Sequence, residues 1–274
     1  MKTVKPLEAK IRKLVGKFKG KAGVALKNFK TRDALYINAD DRCPTASTIK
    51  IPIMVEVYYQ VKEKKIKLTD PMIYRHKNHV GGSGIIQYLS DGLKISVQDA
   101  MYMMIVLSDN TTTNMLIDLL GVKNINCRME SLGLYNIKVF RKAYGKKPEV
   151  EPELCKKFGF GMATPREMNQ LLEMIYRGRV PDKPSCKQMI EIMKNQFYEA
   201  QLRRWVHGKN VWVANKTGSV NGVRNDVGII HTPKSDWAIS VFCKNVKDLR
   251  WELDNEGHLL IATISKLVFE HYTS

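Results

Sequence analysis

The chain has 274 residues, 44% of them hydrophobic, which is enough for a sizeable core in one large domain or two lobes. No run approaches the roughly 18 apolar residues that span a bilayer, and the N-terminal MKTVKPLEAKIRKLVGKFKGKAG has neither an apolar segment nor a small-residue cleavage site. The formal net charge of +18 implies a loose attraction to polyanions such as an anionic cell envelope, but the basic residues are spread out and lack the aromatic interleaving of nucleic-acid binders, so no nucleic-acid partner is expected.

On its N-terminus alone the protein is either cytoplasmic or has lost a leader. The five cysteines are odd in number and none pairs in CxxC spacing. With six scattered histidines and no ligand cluster, the sequence implies no disulfide framework, no metal and no cofactor.

In chain order, apolar residues at Leu7, Ile11, Leu14, Val15 and Phe18 predict a helix. AGVALKNF and DALYINAD read as two strands separated by a turn. A helical block follows: 47–61, 97–107, 111–120, 165–176 and 186–196. Strand character returns in VWVANKTG, DVGIIHT and WAISVFCK, and a last helix covers 256–271. This order predicts an α/β (α+β) protein: an antiparallel sheet completed by both chain ends, with an inserted helical lobe. The α/β lobe is expected from 1–46 and 197–274, the helical lobe from 47–196, with a cleft between them as the natural site.

Three short motifs carry chemistry. In CPTASTIKIPIMVEVYYQV, Ser47 opens a predicted helix and Lys50 follows one turn later on the same face. A serine hydroxyl needs a base, and a lysine entering a core can be one once burial lowers its pKa. The helix start also offers a backbone N–H to a developing oxyanion. The bland alternative is Ser47 as a cap and Lys50 snorkelling outward. In LSDNTTTNMLIDLLG, Ser108 could relay a proton and Asn110 could bind a carbonyl; the alternative is a capped helix break. In VANKTGSVNGVRNDVGII, Lys216 and Thr217 end a strand and could hold a carboxylate, while Gly218 lets a ligand approach the backbone. Each motif alone is common.

Together, as S-x-x-K, S-D-N and K-T-G in this order, they make the chain resemble the class A serine β-lactamases and their penicillin-recognising relatives. LSDGLKISVQDAMYMMIVLSDNTTTNMLIDLLG looks like the family's helix–SDN–helix region, and MATPREMNQLLEMI like the helix after its Ω loop. The resemblance covers nearly the whole chain. It implies Ser47 as the acylated nucleophile, Lys50 as the acylation base and Ser108 as the proton donor to the β-lactam nitrogen. It implies Asn110 as a contact for the substrate's amide side chain, Lys216 and Thr217 as its carboxylate holders, and the N–H groups of Ser47 and Ser219 as the oxyanion hole. Arg224 is a candidate second cation, or else a turn arginine. A periplasmic or secreted monomer acting on a small β-lactam is implied, with no cofactor.

The resemblance frays at deacylation. The family activates its water with a glutamate in an E-P-E-L-N run; here Glu151, Pro152, Glu153 and Leu154 are followed by Cys155 in place of the asparagine. Glu151 lies 14 residues before Pro165, nearer than the family leads one to expect. Glu149, Glu151 and Glu153 are all candidates, with Glu151 first. If it works, the protein is a β-lactamase; if not, it is acylated and stalls like a penicillin-binding protein or a DD-peptidase-like hydrolase. A polyanion-binding module on a dead scaffold is disfavoured, because a dead site has no reason to keep Ser47, Lys50, Ser108, Lys216 and Thr217 together.

Overall fold

The structure, a computed structural model, describes residues 4–274. From the N-terminus the chain forms α1 (Lys5–Lys17), β1 (Lys21–Asn28), β2 (Ala34–Ile37), β3 (Cys43–Pro44) and a 3₁₀ turn (Ala46–Ile49) that runs directly into α2 (Lys50–Lys62). Next come the small pair β4 (Pro71–Ile73) and β5 (Lys94–Ser96), then α3 (Val97–Val106), α4 (Asn110–Leu120) and α5 (Val122–Ser131). β6 (Lys138–Val139), α6 (Pro152–Phe158) and β7 (Gly161–Ala163) precede α7 (Pro165–Tyr176) and α8 (Lys183–Lys194). The chain ends with β8 (Trp212–Val220), β9 (Val223–His231), β10 (Asp236–Lys244) and α9 (Glu256–Thr273).

The main sheet is antiparallel in the order β2-β1-β10-β9-β8, with Val24 opposite Val241 and Lys216 opposite Val227. Both chain ends therefore contribute strands, as the order of elements predicts. Alternation divides each strand between two cores. Val24, Leu26, Trp237, Ile239 and Val241 face the terminal helices and pack with Leu7, Ile11, Ile261, Ile264 and Val268. Ala214, Val227, Ile229, Ala238 and Phe242 face the other way, into the core of the inserted helices. Because both faces are covered, β1 and β10 read as nearly continuous apolar runs although they are antiparallel, while β9 buries Arg224, Asn225 and Asp226.

The inserted helices share that second core with the sheet, so helices and sheet stand on one continuous packed base. α7 lies directly on the sheet: a side chain at Gly23 in β1 would begin 2.9 Å from Pro165 Cγ. α5 was not expected from the sequence. Its buried Val122, Ile125 and Met129 follow a helical spacing, but Asn124, Asn126 and Ser131 are weak helix formers that blur it. Of the cysteines, Cys43, Cys155, Cys186 and Cys243 are buried and Cys127 is exposed, all as free thiols. No helix among the described residues is long and apolar enough to cross a membrane.

Candidate active site

Ser47 sits half-buried on the 3₁₀ turn rather than inside a regular α-helix, and Lys50 is the first residue of α2. The residue before Ser47, Ala46, has φ +47°, in the left-handed region. Such a conformation costs a non-glycine residue about 1–2 kcal/mol, so the surroundings must impose it. The carbonyl of Thr45 accepts from Thr48 N (3.2 Å), Thr48 Oγ1 (2.9 Å) and Asn225 Nδ2 (3.0 Å). Thr45 N donates to Gly161 O on β7 at 3.0 Å. On β8, a side chain at Gly218 would begin 2.7 Å from Thr45 O and 3.0 Å from Ser47 N. Glycine is thus required for the sheet edge to approach the turn.

Lys50 is fully buried. Its Nζ donates to Ser108 O at 2.6 Å and to Asn110 Oδ1 at 2.9 Å, and lies 3.2 Å from Ser108 Oγ. Burial first, then the positive Lys216, hold the amine well below its ordinary pKa, with Asp109 opposing. The lysine's entry into the core therefore comes with partners and a reason to be neutral. Ser108 has φ +56°, and the break after α3 that makes this possible is tied down on both sides. Asp109 is buried and caps α4 through Thr112 N at 2.9 Å, while its other oxygen accepts from Ile85 N at 2.7 Å and Ile86 N at 3.0 Å. Asn110 N donates to Ser83 O at 3.0 Å, and Asn110 Nδ2 to Gly81 O at 3.1 Å. Gly84, at φ +122°, has no room for a side chain, which would begin 2.2 Å from Asp109 Oδ2. The segment VGGSG is thus part of the site's support, although the sequence reading did not single it out.

Lys216 is fully buried on edge strand β8, its Nζ donating to Thr217 O at 2.9 Å. Burial lowers its pKa to about 7, with Asp226 opposing. Asp226 is itself buried and pushed up to about 6, although it accepts from Asn215 Nδ2 at 2.9 Å and Leu202 N at 3.0 Å. Arg203 donates to Asn215 Oδ1 at 2.7 Å and so extends this polar network. None of Asp226, Asn215 or Arg203 stood out in the sequence.

Two expected residues are placed differently. Arg224 is fully buried, and its terminal nitrogens donate to Val220 O (2.8 Å), Val223 O (2.8 Å) and Arg250 O (2.7 Å) beneath the ring of Trp251. Its charge is engaged by the β8–β9 turn. Glu151 precedes α6 with φ +46°, exposed, and its nearest cation is Lys138 at 3.6 Å. Glu149 and Glu153 are exposed as well. Cys155 packs with Phe140, Phe158 and Met162, its Sγ 3.5 Å from Gly159 O. Among the described residues, no hydrogen bond joins Glu151 to Ser47 or Lys50, and no three His, Cys, Asp or Glu side chains converge as a metal site would need. The arrangement brings the Ser47 turn, the buried Lys50, Ser108 and the buried Lys216 to one sheet edge.

Comparison with known proteins agrees with this fold. The sequence profile of the Beta-lactamase enzyme family matches residues 6–272. The β-lactamase VEB-1 of Pseudomonas aeruginosa is 26% identical over 97% of this chain and 90% of its own. Among solved structures, a β-lactamase from Sphaerobacter thermophilus superposes with TM-score 0.88 at 30% identity, covering 99% of this chain and 98% of the other. A mutant of PBP-A, solved as an acyl-enzyme complex with penicillin G, superposes with TM-score 0.85 at 26% identity over 98% and 97%. With the S-x-x-K, S-D-N and K-T-G residues lying at one sheet edge of this fold, the chain belongs to the β-lactamase enzyme family, of the class A serine type.

Proposed function

We propose that this protein opens the amide of a small β-lactam through an acyl-enzyme on Ser47 and hydrolyses it as a serine β-lactamase. The observation that carries this reading is the fully buried Lys50 amine, one turn from Ser47 and bonded to Ser108 and Asn110. Held below its ordinary pKa, the amine can accept the Ser47 hydroxyl proton as Oγ attacks the lactam carbonyl. The oxyanion then faces the N–H groups of Ser47 and Ser219. When the ring C–N bond breaks, the Ser108 hydroxyl protonates the leaving nitrogen and is reprotonated from Lys50, 3.2 Å away. The proton removed from Ser47 thus ends on nitrogen. Lys216 and Thr217 hold the substrate carboxylate, and Asn110 its amide side chain. Water, activated by Glu151, then cleaves the ester and regenerates Ser47.

A second reading is favoured by one observation. Glu151 is exposed and Cys155 is turned into an apolar cluster, so the acyl-enzyme would persist as in a penicillin-binding protein. The acyl-enzyme complex of PBP-A with penicillin G is in keeping with the step the two readings share. Either reading suits a monomer working in the periplasm or outside the cell. A mass-spectrometric and stopped-flow time course with a chromogenic cephalosporin separates them. Turnover with a transient adduct on Ser47 supports the lactamase, a stable adduct supports the second reading, and no adduct defeats both.

A further inference from the structure

We propose that Asn225 is a positioning residue for the nucleophile: it holds the turn before Ser47 so that the Ser47 N–H is aimed at the oxyanion. The inference rests on Ser47 being the acylated residue.

Asn225 is fully buried on β9, directly opposite Gly218 on β8. Residues directly opposite in an antiparallel pair share a face, so the amide of Asn225 lies beside the space that Gly218 leaves open. Its Nδ2 donates to Pro44 O at 2.9 Å and to Thr45 O at 3.0 Å. Its Oδ1 accepts from Cys243 N on β10 at 3.1 Å. These partners fix the amide's orientation, because a flip would set its oxygen against two carbonyl oxygens and its nitrogen against an N–H. One side chain therefore ties the peptide carbonyls just before Ala46 and Ser47 to the centre of the sheet.

The two cross-strand partners act on one atom. Gly218 lets Thr45 O approach the sheet edge, and Asn225 bonds it there. Between Thr45 and Ser47, Ala46 is left-handed, a conformation that persists only where its surroundings impose it. Releasing Thr45 O would let Ala46 relax and swing the Ser47 N–H relative to the Ser219 N–H. Packing alone does not ask for an asparagine, since a leucine of similar size would fill the volume, and the contact with β10 uses only Oδ1 while both bonds of Nδ2 go to the nucleophile turn. The pair of donors matched to two carbonyls of the nucleophile turn points to the reaction.

The test is the acylation of Asn225→Leu and Asn225→Asp by a chromogenic cephalosporin, resolved into substrate binding and the acylation rate constant, and normalised to adduct-forming sites by mass spectrometry. A misaimed oxyanion donor slows chemistry rather than binding, so Asn225→Leu should lower the acylation rate constant about 10- to 100-fold with binding changed less than about threefold. Deacylation, which uses the same donors, should slow in parallel. Asn225→Asp provides a signature that mere packing lacks. Its carboxyl can donate to a turn carbonyl only when protonated, so its rate relative to the parent's should recover as pH falls from about 8 to 5. A parent that forms no Ser47 adduct overturns the functional reading and this inference with it. A parent that reacts, with per-site rate constants unchanged in Asn225→Leu, overturns the inference alone. If Asn225→Leu does not fold, a flat Asn225→Asp to parent ratio across pH overturns it.

Discussion

Two segments serve the two halves of the proposed reaction, and they are built differently. On the acylation side, Lys50 and Lys216 are fully buried, Ser108 and Asn110 nearly so, and each has protein partners inside 3.3 Å. On the other side, residues 141–160 carry Glu149, Glu151 and Glu153, all exposed, around the short helix α6. The first segment draws its chemistry from the core: burial lowers the pKa of both lysines, the positive Lys216 lowers that of Lys50 further, and a slip in packing would change the reactivity. The second hangs from a few ties, such as Glu149 N to Phe140 O at 2.8 Å and the pair of bonds between Asn114 and Ala143. Under the proposed mechanism, acylation rests on groups set in the core, while hydrolysis rests on exposed glutamates in a segment anchored by Val150, Cys155, Phe158 and Phe160.

Substitutions can break this contrast. Ser47→Ala should give the largest effect, with no covalent adduct after penicillin treatment; a full-stoichiometry adduct by mass spectrometry would remove Ser47 from its role. Lys50→Ala should slow acylation about 10²–10⁴-fold, the usual contribution of general-base assistance. Its melting temperature should fall modestly, because truncation of a fully buried side chain opens a cavity and leaves Ser108 O and Asn110 Oδ1 without their donor. Glu151→Gln tests the exposed side. If Glu151 activates water, the adduct forms at the parent rate but clears about 10²–10⁴-fold more slowly. Equal clearance by parent and variant would pass the role to Glu149 or Glu153, and a parent that never clears its adduct would replace the lactamase reading with the penicillin-binding one.

The sequence displayed the reactive groups better than it displayed what supports them. Ser47 with Lys50, the SDN turn and K-T-G are local patterns, so they point to a helix start, a helix break and a strand, although the strand does not end at K-T-G as expected: β8 stays paired through Val220. The sheet and most helices were legible for the same reason, since period and apolar runs are local. Asn225 bonds Thr45 from 180 residues away, and Asn28 meets Ser235 across 207, so no window contains both partners. Gly82 and Gly84 carry no signal of their own in the sequence, and only contact with Asn110, Tyr144 and Asp109 shows why side chains are excluded there. Glu151 is the reverse case. Its motif was visible, but its exposure and its pairing with Lys138 depend on how 141–160 drapes over the surface.

Lys216 sharpens the comparison from the buried side. Lys216→Ala should lower second-order acylation by an anionic β-lactam about 10- to 100-fold, as expected for a charge-assisted contact worth about 1.5–3 kcal/mol. An unchanged rate would take it out of the site. Its pKa of about 7 also sets a pH dependence. As pH rises through about 7 the amine loses its proton and carboxylate binding weakens, while Lys50, neutral above its own lowered pKa, keeps its capacity as a base. Apparent affinity should therefore fall above neutrality before the acylation rate constant does. Stability moves oppositely: between about 7 and the unfolded value of 10.5 the unfolded chain binds more protons at this lysine, so its contribution to stability rises with pH. A Lys216→Met variant should flatten that rise in denaturant melts at pH 7 and 10.

Arg224 should give the smallest kinetic effect, and this places it on the scaffold side of the contrast. Its two terminal nitrogens already serve three carbonyls, and a guanidinium so engaged has little to offer a carboxylate. Arg224→Met would keep the aliphatic stem that packs near Gly257 and leave the carbonyls of Val220, Val223 and Arg250 without their donor. Unmet buried carbonyls cost about 1–3 kcal/mol in all. For a chain of this size that corresponds to a fall of roughly 2–10 °C in Tm. Acylation by an anionic cephalosporin should change less than about threefold, and the loss should be the same for a substrate analogue whose carboxylate is esterified. A tenfold or greater loss confined to the free carboxylate would instead make Arg224 the second cation of the substrate site, with its carbonyl contacts yielding when the substrate arrives.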